Sequence, residues 1–257
     1  HVANRELNGL LYDAPLAGYT TPKDVDNISA KDVQDFLKHK LTLQNIIVLT
    51  GGDMDQKEAA EKMREFLTVF RAGQEVEMPY FKPQKEDDEI IIQKPTQQAY
   101  IYFIAPLEQI DPKQQYLAKI ASFILGSSGF GSRLMEEIRV KRGLAYSVHS
   151  RYVTNKTHSH FTGHLQTKLD SQQEAKKVVA KLVEDFVQNG VSKEELEDAK
   201  KFLQGSYPLR KETLMQRISI AFSEHYKGLE LGYSDKELEK IEQVTLDELN
   251  DFIKNHA

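Results

Sequence analysis

The stretch Leu125–His149, LGSSGFGSRLMEEIRVKRGLAYSVH, decides how the rest of the chain is read. It opens on a glycine-serine loop, Gly126 to Gly131, whose composition asks for unusual backbone angles or a close approach of backbone to its surroundings. From Ser132 the apolar residues Leu134, Met135 and Ile138 fall at helical spacing, with Glu136, Glu137 and Arg139 between them. Arg142 and Gly143 then supply a basic last turn and a glycine stop. Leu144 to Val148 restarts as a strand. A loop, a helix and a strand of this specificity, in an otherwise ordinary chain, point to a ligand site.

The 257 residues are 40% hydrophobic and 28% charged, the balance of an ordinary globular protein with room for one large domain or two smaller ones. A formal net charge of -5 argues against a nucleic-acid partner. The absence of cysteine excludes disulfides and thiolate metal sites. No apolar run approaches the roughly 20 residues needed to span a bilayer. The chain opens on His1 with no signal peptide behind it, so its N-terminus reads as processed, cloned or cut.

Outward from the opening stretch, the pattern predicts a mixture of strands and helices. His1–Tyr12 reads as the end of a helix and Asp13–Asp26 as loop. Ser29 caps a helix with Asp32 at its third position, and Asp55 caps another running to about Phe70. Between them Asn45–Thr50, NIIVLT, reads as a buried strand. Ala72–Asp88 has no period and reads as linker, its charged run Lys85–Glu89 being a solvated face. Strands are expected over Glu89–Gln93, Gln98–Ala105, Ala145–Val153 and Ser159–Thr167, and a helix over Asp111–Leu125. From Ser171 onward the chain reads as helices, with S/T-x-x-E boxes at Ser171/Glu174, Ser192/Glu195, Ser234/Glu237 and Thr245/Glu248.

An internal repeat bears on architecture. ISAKDVQDFLKHK from Ile28 aligns without gaps on VTLDELNDFIKNH from Val244, so that Val33 meets Leu249 and Phe36 meets Phe252. Upstream, Ala17-Gly18-Tyr19 stands opposite Leu231-Gly232-Tyr233. Two amphipathic helices can resemble each other by chance; the alternative is a duplicated domain. On the second reading the chain is an excerpt: the end of one domain, a linker, and most of a second that stops before its last strand.

With that order in place, GFGSRLMEEIRVKRGLAYSV resembles the C-terminal domain of the M16 (pitrilysin-like, inverted zincin) metallopeptidases, and the resemblance extends over nearly the whole chain. It implies an α+β fold of duplicated M16-type domains, each a mostly antiparallel sheet with helices packed against it. Residues 1–77 would then be the closing segment of the first domain, 78–88 a linker and 89–257 the second domain. The family's zinc is held by H-x-x-E-H plus a downstream glutamate, the motif glutamate activating water. None of the eight histidines here begins such a motif; Ala221-Phe222-Ser223-Glu224-His225 has alanine in the first position. Zinc is therefore expected in the complete enzyme and not on this chain.

What the resemblance implies for this chain is substrate handling. Arg139 and Tyr146 match an arginine and a tyrosine that contact the peptide carbonyl and steady the developing oxyanion, as preorganised donors do. The loop residues Gly129, Phe130, Gly131 and Ser132 would lie beside the bound peptide. The plainer reading leaves Arg139 paired with Glu136 or another acid and Tyr146 packed in its strand. His158, His160 and His164 share a strand face and offer a weak metal site. The glycine loop lacks the Gly-Lys-Ser/Thr ending of a phosphate-binding loop.

The expected function is the substrate-binding portion of an M16-type zinc peptidase that degrades or processes peptides in a closed chamber. The alternative is a catalytically inactive M16 homologue serving as a structural or peptide-binding subunit. Expected partners are unstructured peptides, held by strand-edge pairing, and either a preceding N-terminal segment, a zinc-carrying M16 subunit or a second copy. Bacterial cytoplasm and periplasm both stay open as compartments.

Overall fold

A computed structural model describes residues 2–13, 20–84 and 88–256, with the backbone alone for Val2 and Asn4. Three strands, β1 (Gln98–Pro106), β2 (Ala145–Thr154) and β3 (Ser159–Lys168), form an antiparallel sheet in the order β1-β3-β2. The period-two alternation of β3 sets its faces: Phe161, Gly163, Leu165 and Thr167 point to the core, while His160, Thr162, His164 and Gln166 point away. Leu165 is the hub of the register, opposite Ile101 on one side and Val148 on the other.

The helices are α1 (Val2–Leu11), α2 (Pro22–Asp26), α3 (Ala30–Lys40), α4 (Gln56–Leu67), α5 (Gln115–Ser122), α6 (Gln172–Asn189), α7 (Lys193–Ser206), α8 (Leu214–Tyr226), α9 (Tyr233–Gln243) and α10 (Leu246–Asn255). The core lies between one face of the sheet and the helices packed on it. Ile120, Leu125, Leu134, Ile138, Leu196, Leu249 and Ile253 are fully enclosed there, together with Leu165. This is the expected α+β arrangement of antiparallel sheet and packed helices.

The opposite face of the sheet meets α1. Leu11 and Tyr12 are buried. The Tyr12 hydroxyl donates to the Ser159 carbonyl at 2.7 Å and lies 3.1 Å from His160 Nδ1. Its ring also meets His158 and His160 edge-on, at 5.6 and 5.8 Å between centroids.

Residues 20–84 behave differently: Thr42 is the one buried residue among them. The repeated positions make the contrast plain. Phe252 in α10 is 4% exposed and Leu249 0%, whereas their counterparts Phe36 and Val33 in α3 are 62% and 48% exposed. The same stripe thus faces the core in α10 and solvent in α3. Ala17-Gly18-Tyr19, the other part of the sequence match, lies outside the described residues, as do residues 85–87 of the charged run.

Two expected strands are absent. Asn45–Thr50 begins as the end of a 3-10 turn, Leu43–Asn45, and continues as unpaired extended chain with Ile47 and Val48 exposed. Glu89–Gln93 is likewise unpaired, with Ile90, Ile91 and Ile92 exposed. An apolar run becomes a strand only where a neighbour supplies ladder partners and a covered face, and no described segment does so here. The expected helix Asp111–Leu125 is divided into a 3-10 turn at Pro112–Gln114, α5, and a π-helical turn at Phe123–Ser127.

The helix starts are only partly as expected. Ser29/Asp32 and Ser192/Glu195 form complete boxes, and Thr21/Asp24 and Thr213/Gln216 add two more. Ser171 makes no capping bond, because a 3-10 turn leads into α6. At α9 the helix starts earlier, after Gly232, and the buried Glu224 carboxylate of α8 accepts from the backbone of Gly232 at 2.8 Å and Ser234 at 2.7 Å. Thr245 caps α10, while Glu248 turns away to accept from the Tyr116 hydroxyl at 2.8 Å. Long-range partners outcompeted the local box at these last two sites.

The buried histidines give stability a pH dependence. Burial, then His158 and Arg151, lowers His160 from its ordinary 6.5 to about 4. Burial lowers His158 and His149 in the same direction. As pH falls from 6.5 toward 4 the unfolded chain takes up protons that the folded chain refuses, so stability is complete above this window and lost within it. Tm should therefore fall across that range, and His160→Asn should flatten the fall. A Tm that does not change with pH in the native protein would contradict the burial of these rings.

Candidate functional site

The glycine-serine loop sits between two π-helical segments, Phe123–Ser127 and Met135–Lys141. Both are wider than the α-helices the apolar spacing predicts, and such segments recur at functional positions. The first lies against β2 at Gly126, where an added Cβ would collide with the Ser150 hydroxyl and come within 2.8 Å of the Ser150 backbone nitrogen. Glycine is there because the two backbones touch.

Gly129 and Gly131 carry φ of 73° and 94°, so the loop turns twice through conformations that other residues avoid. Ser132 closes it from below: fully buried, its hydroxyl donates to the Gly129 carbonyl at 2.7 Å and its amide to the same oxygen at 3.1 Å. Gly131 N–H donates to Glu136 Oε1 at 3.3 Å. Ser132 is thus the anchor of the loop. Phe130 at the tip is 67% exposed.

Arg139 and Tyr146 meet beside that tip. The Arg139 guanidinium carbon lies 4.9 Å from the centroid of the Phe130 ring and 5.0 Å from that of Tyr146. Each contact contributes about 0.5–1 kcal/mol at an exposed site. Tyr146 reaches this place because β2 is bulged: Ala145 pairs with Thr167 and Ser147 with Gln166, leaving Tyr146 as the extra residue, 74% exposed. The bulge has a sequence signal that pattern reading passed over. Ala145 and Val148 are both buried, an odd separation that strict alternation forbids.

The pairing of Arg139 with Glu136 does not form. Glu136 accepts from Gly131, and Glu137 holds Lys141, with Arg142 at 3.9 Å. Among the described residues no carboxylate or carbonyl accepts from the Arg139 guanidinium, whose contacts are the two rings. Of the sequence-predicted site residues, Phe130, Arg139 and Tyr146 come together, Gly129 and Gly131 shape the loop, and Ser132 supports it.

The strand histidines do not converge. His158 and His160 stack at 5.7 Å and 10°, while His164 stacks instead on Tyr102 and leans toward His149 at 5.9 Å. Among the described residues no group of three or more His, Cys, Asp or Glu side chains is placed to hold a metal ion. Glu224, of the chance Ala221–His225 string, is spent on the start of α9. No helix among the described residues is long and apolar enough to cross a membrane.

The sequence pattern of the family described as the peptidase M16 inactive domain matches residues 27–203, and the chain belongs to that family. It is 38% identical over 251 residues to the non-peptidase homologue YmxG of Helicobacter pylori, covering 96% of this chain and 58% of that protein. It is 20% identical over 205 residues to the uncharacterized zinc protease YmxG of Bacillus subtilis, covering 80% of this chain and 49% of that protein. The chain therefore spans about half the length of these curated relatives. A solved M16 inactive domain from Pseudomonas fluorescens superposes with a TM-score of 0.86 at 22% identity, over 100% of this chain and 62% of that one. Among the described residues no donor set fits the zinc associated with the wider family.

Replacing Gly126 tests how the loop is seated. Gly126→Ala forces backbone apart from Ser150 and should cost about 1–3 kcal/mol of stability, read as a lower urea midpoint. An unchanged midpoint would mean that the first π-helical turn does not rest on β2.

Proposed function

We propose that this chain is the peptide-holding, zinc-free portion of an M16-type protein, gripping extended peptides at Arg139 and Tyr146 beside the Phe130 loop. The observation that carries this reading is the guanidinium held against two exposed rings with its donors unspent. Guanidinium and phenol both donate without first losing a proton, so they suit a carbonyl or a developing oxyanion. Hydrolysis would need a zinc and a general base from elsewhere: a further segment of the same protein or an M16 subunit that carries H-x-x-E-H. Residues 1–77 would then close a first M16 domain and 89–257 form the second. The exposed stripe of α3 supports that division, since its repeat partner in α10 is covered by α5 and α6, with Phe252 beside the Tyr152 ring.

A second reading, a catalytically inactive M16 homologue that binds peptides or supports an assembly, is favoured by the name of the Helicobacter pylori relative. The peptide-binding form of this second reading shares the site with the first and differs from it in having no zinc-carrying partner.

The test is binding of a fluorescently labelled unstructured peptide to the full chain, followed by anisotropy. Arg139→Ala and Tyr146→Ala should each weaken binding about tenfold or more, with no cleavage when zinc is added. In a complete, zinc-loaded assembly Tyr146→Phe should lower turnover without changing zinc content. Unaltered affinity in both alanine variants, or cleavage by this chain alone, would defeat the proposal.

A further inference from the structure

The state of Arg139 says more about the ligand than that it is a peptide. Resting on the peptide-holding reading above, we infer that this site recognises a free carboxylate on the bound peptide, taken by the Arg139 guanidinium with the Tyr146 hydroxyl beside it. A guanidinium is planar: rings occupy its faces, while its N–H donors point outward in the plane, in a fork that matches the two oxygens of a carboxylate. Here the rings of Phe130 and Tyr146 contact the group. The two acids on the same helix, which would ordinarily neutralise it, are engaged by Gly131 N–H and by Lys141. Among the described residues no carboxylate reaches this arginine, which is oriented by the two rings and within reach of solvent.

The surrounding charge favours an anion. RVKR, residues 139–142, places three cations in four positions of a chain whose formal net charge is -5. Of these, Lys141 and Arg142 both lie against Glu137, which leaves Arg139 as the cation of this run with no ion pair among the described residues. A neutral carbonyl would use part of the fork; a carboxylate uses both prongs and the charge. The carboxylate has two sources, a peptide C-terminus or an Asp or Glu side chain, and the chemistry at Arg139 is the same for both.

The experiment compares four versions of one labelled peptide on the full chain: C-terminal acid or amide, each with an internal glutamate or glutamine. Loss of the recognised carboxylate should weaken binding about tenfold, and the preference should shrink as salt rises, because the pair is exposed. Preference for the acid over the amide identifies the C-terminus; preference for glutamate over glutamine identifies the side chain. Either result supports the inference, provided that Arg139→Lys, which keeps the charge and loses the fork, reduces the preference. Equal binding of all four peptides overturns the carboxylate inference and leaves the peptide reading standing. Binding of none overturns the peptide reading itself.

Discussion

The contact on which the exposed end of this molecule depends is the approach of Gly126 to the backbone of Ser150. With no side chain at that point, the π-helical turn after α5 lies directly on β2. The loop then leaves from that turn, and Ser132 folds it back beneath itself. The second π-helical segment buries Met135 and Ile138 in the core and turns Arg139 outward. Because β2 carries an extra residue at Tyr146, that ring stands where the guanidinium arrives. A loop, a helix and a strand that are consecutive in sequence therefore converge on one spot.

The residues of this spot could be named from the sequence, and its geometry could not. It was the resemblance to the M16 family that singled out Arg139, Tyr146 and the loop. The apolar spacing of Leu134, Met135 and Ile138 is satisfied by α and π pitch alike, so it could not tell one from the other. Nor could it show that Glu136 would be drawn to Gly131, since that bond requires the loop to have folded first. The choice of acid decides whether Arg139 is neutralised or left available.

The fold was legible where an element carries its own determinants. β3 alternates cleanly, and Ser29 and Ser192 hold complete boxes. It was illegible where the outcome depends on what lies alongside. NIIVLT and the isoleucines of Glu89–Gln93 have every property of strands except a neighbour. The α9 start belongs to Glu224, a residue of another helix, and Glu248 goes to Tyr116 in preference to its own cap. Such long-range competition leaves no local trace.

The chain belongs to the M16 inactive-domain family, and the function proposed for it is capture of a peptide at Arg139. The most direct test of that claim is the side-chain NMR signal of the Arg139 Nε–H group during titration with a peptide acid. Carboxylate capture predicts a downfield shift of this resonance and slower exchange of its proton with water, in step with peptide binding. Peptide binding that leaves the Arg139 signal unmoved would contradict the account.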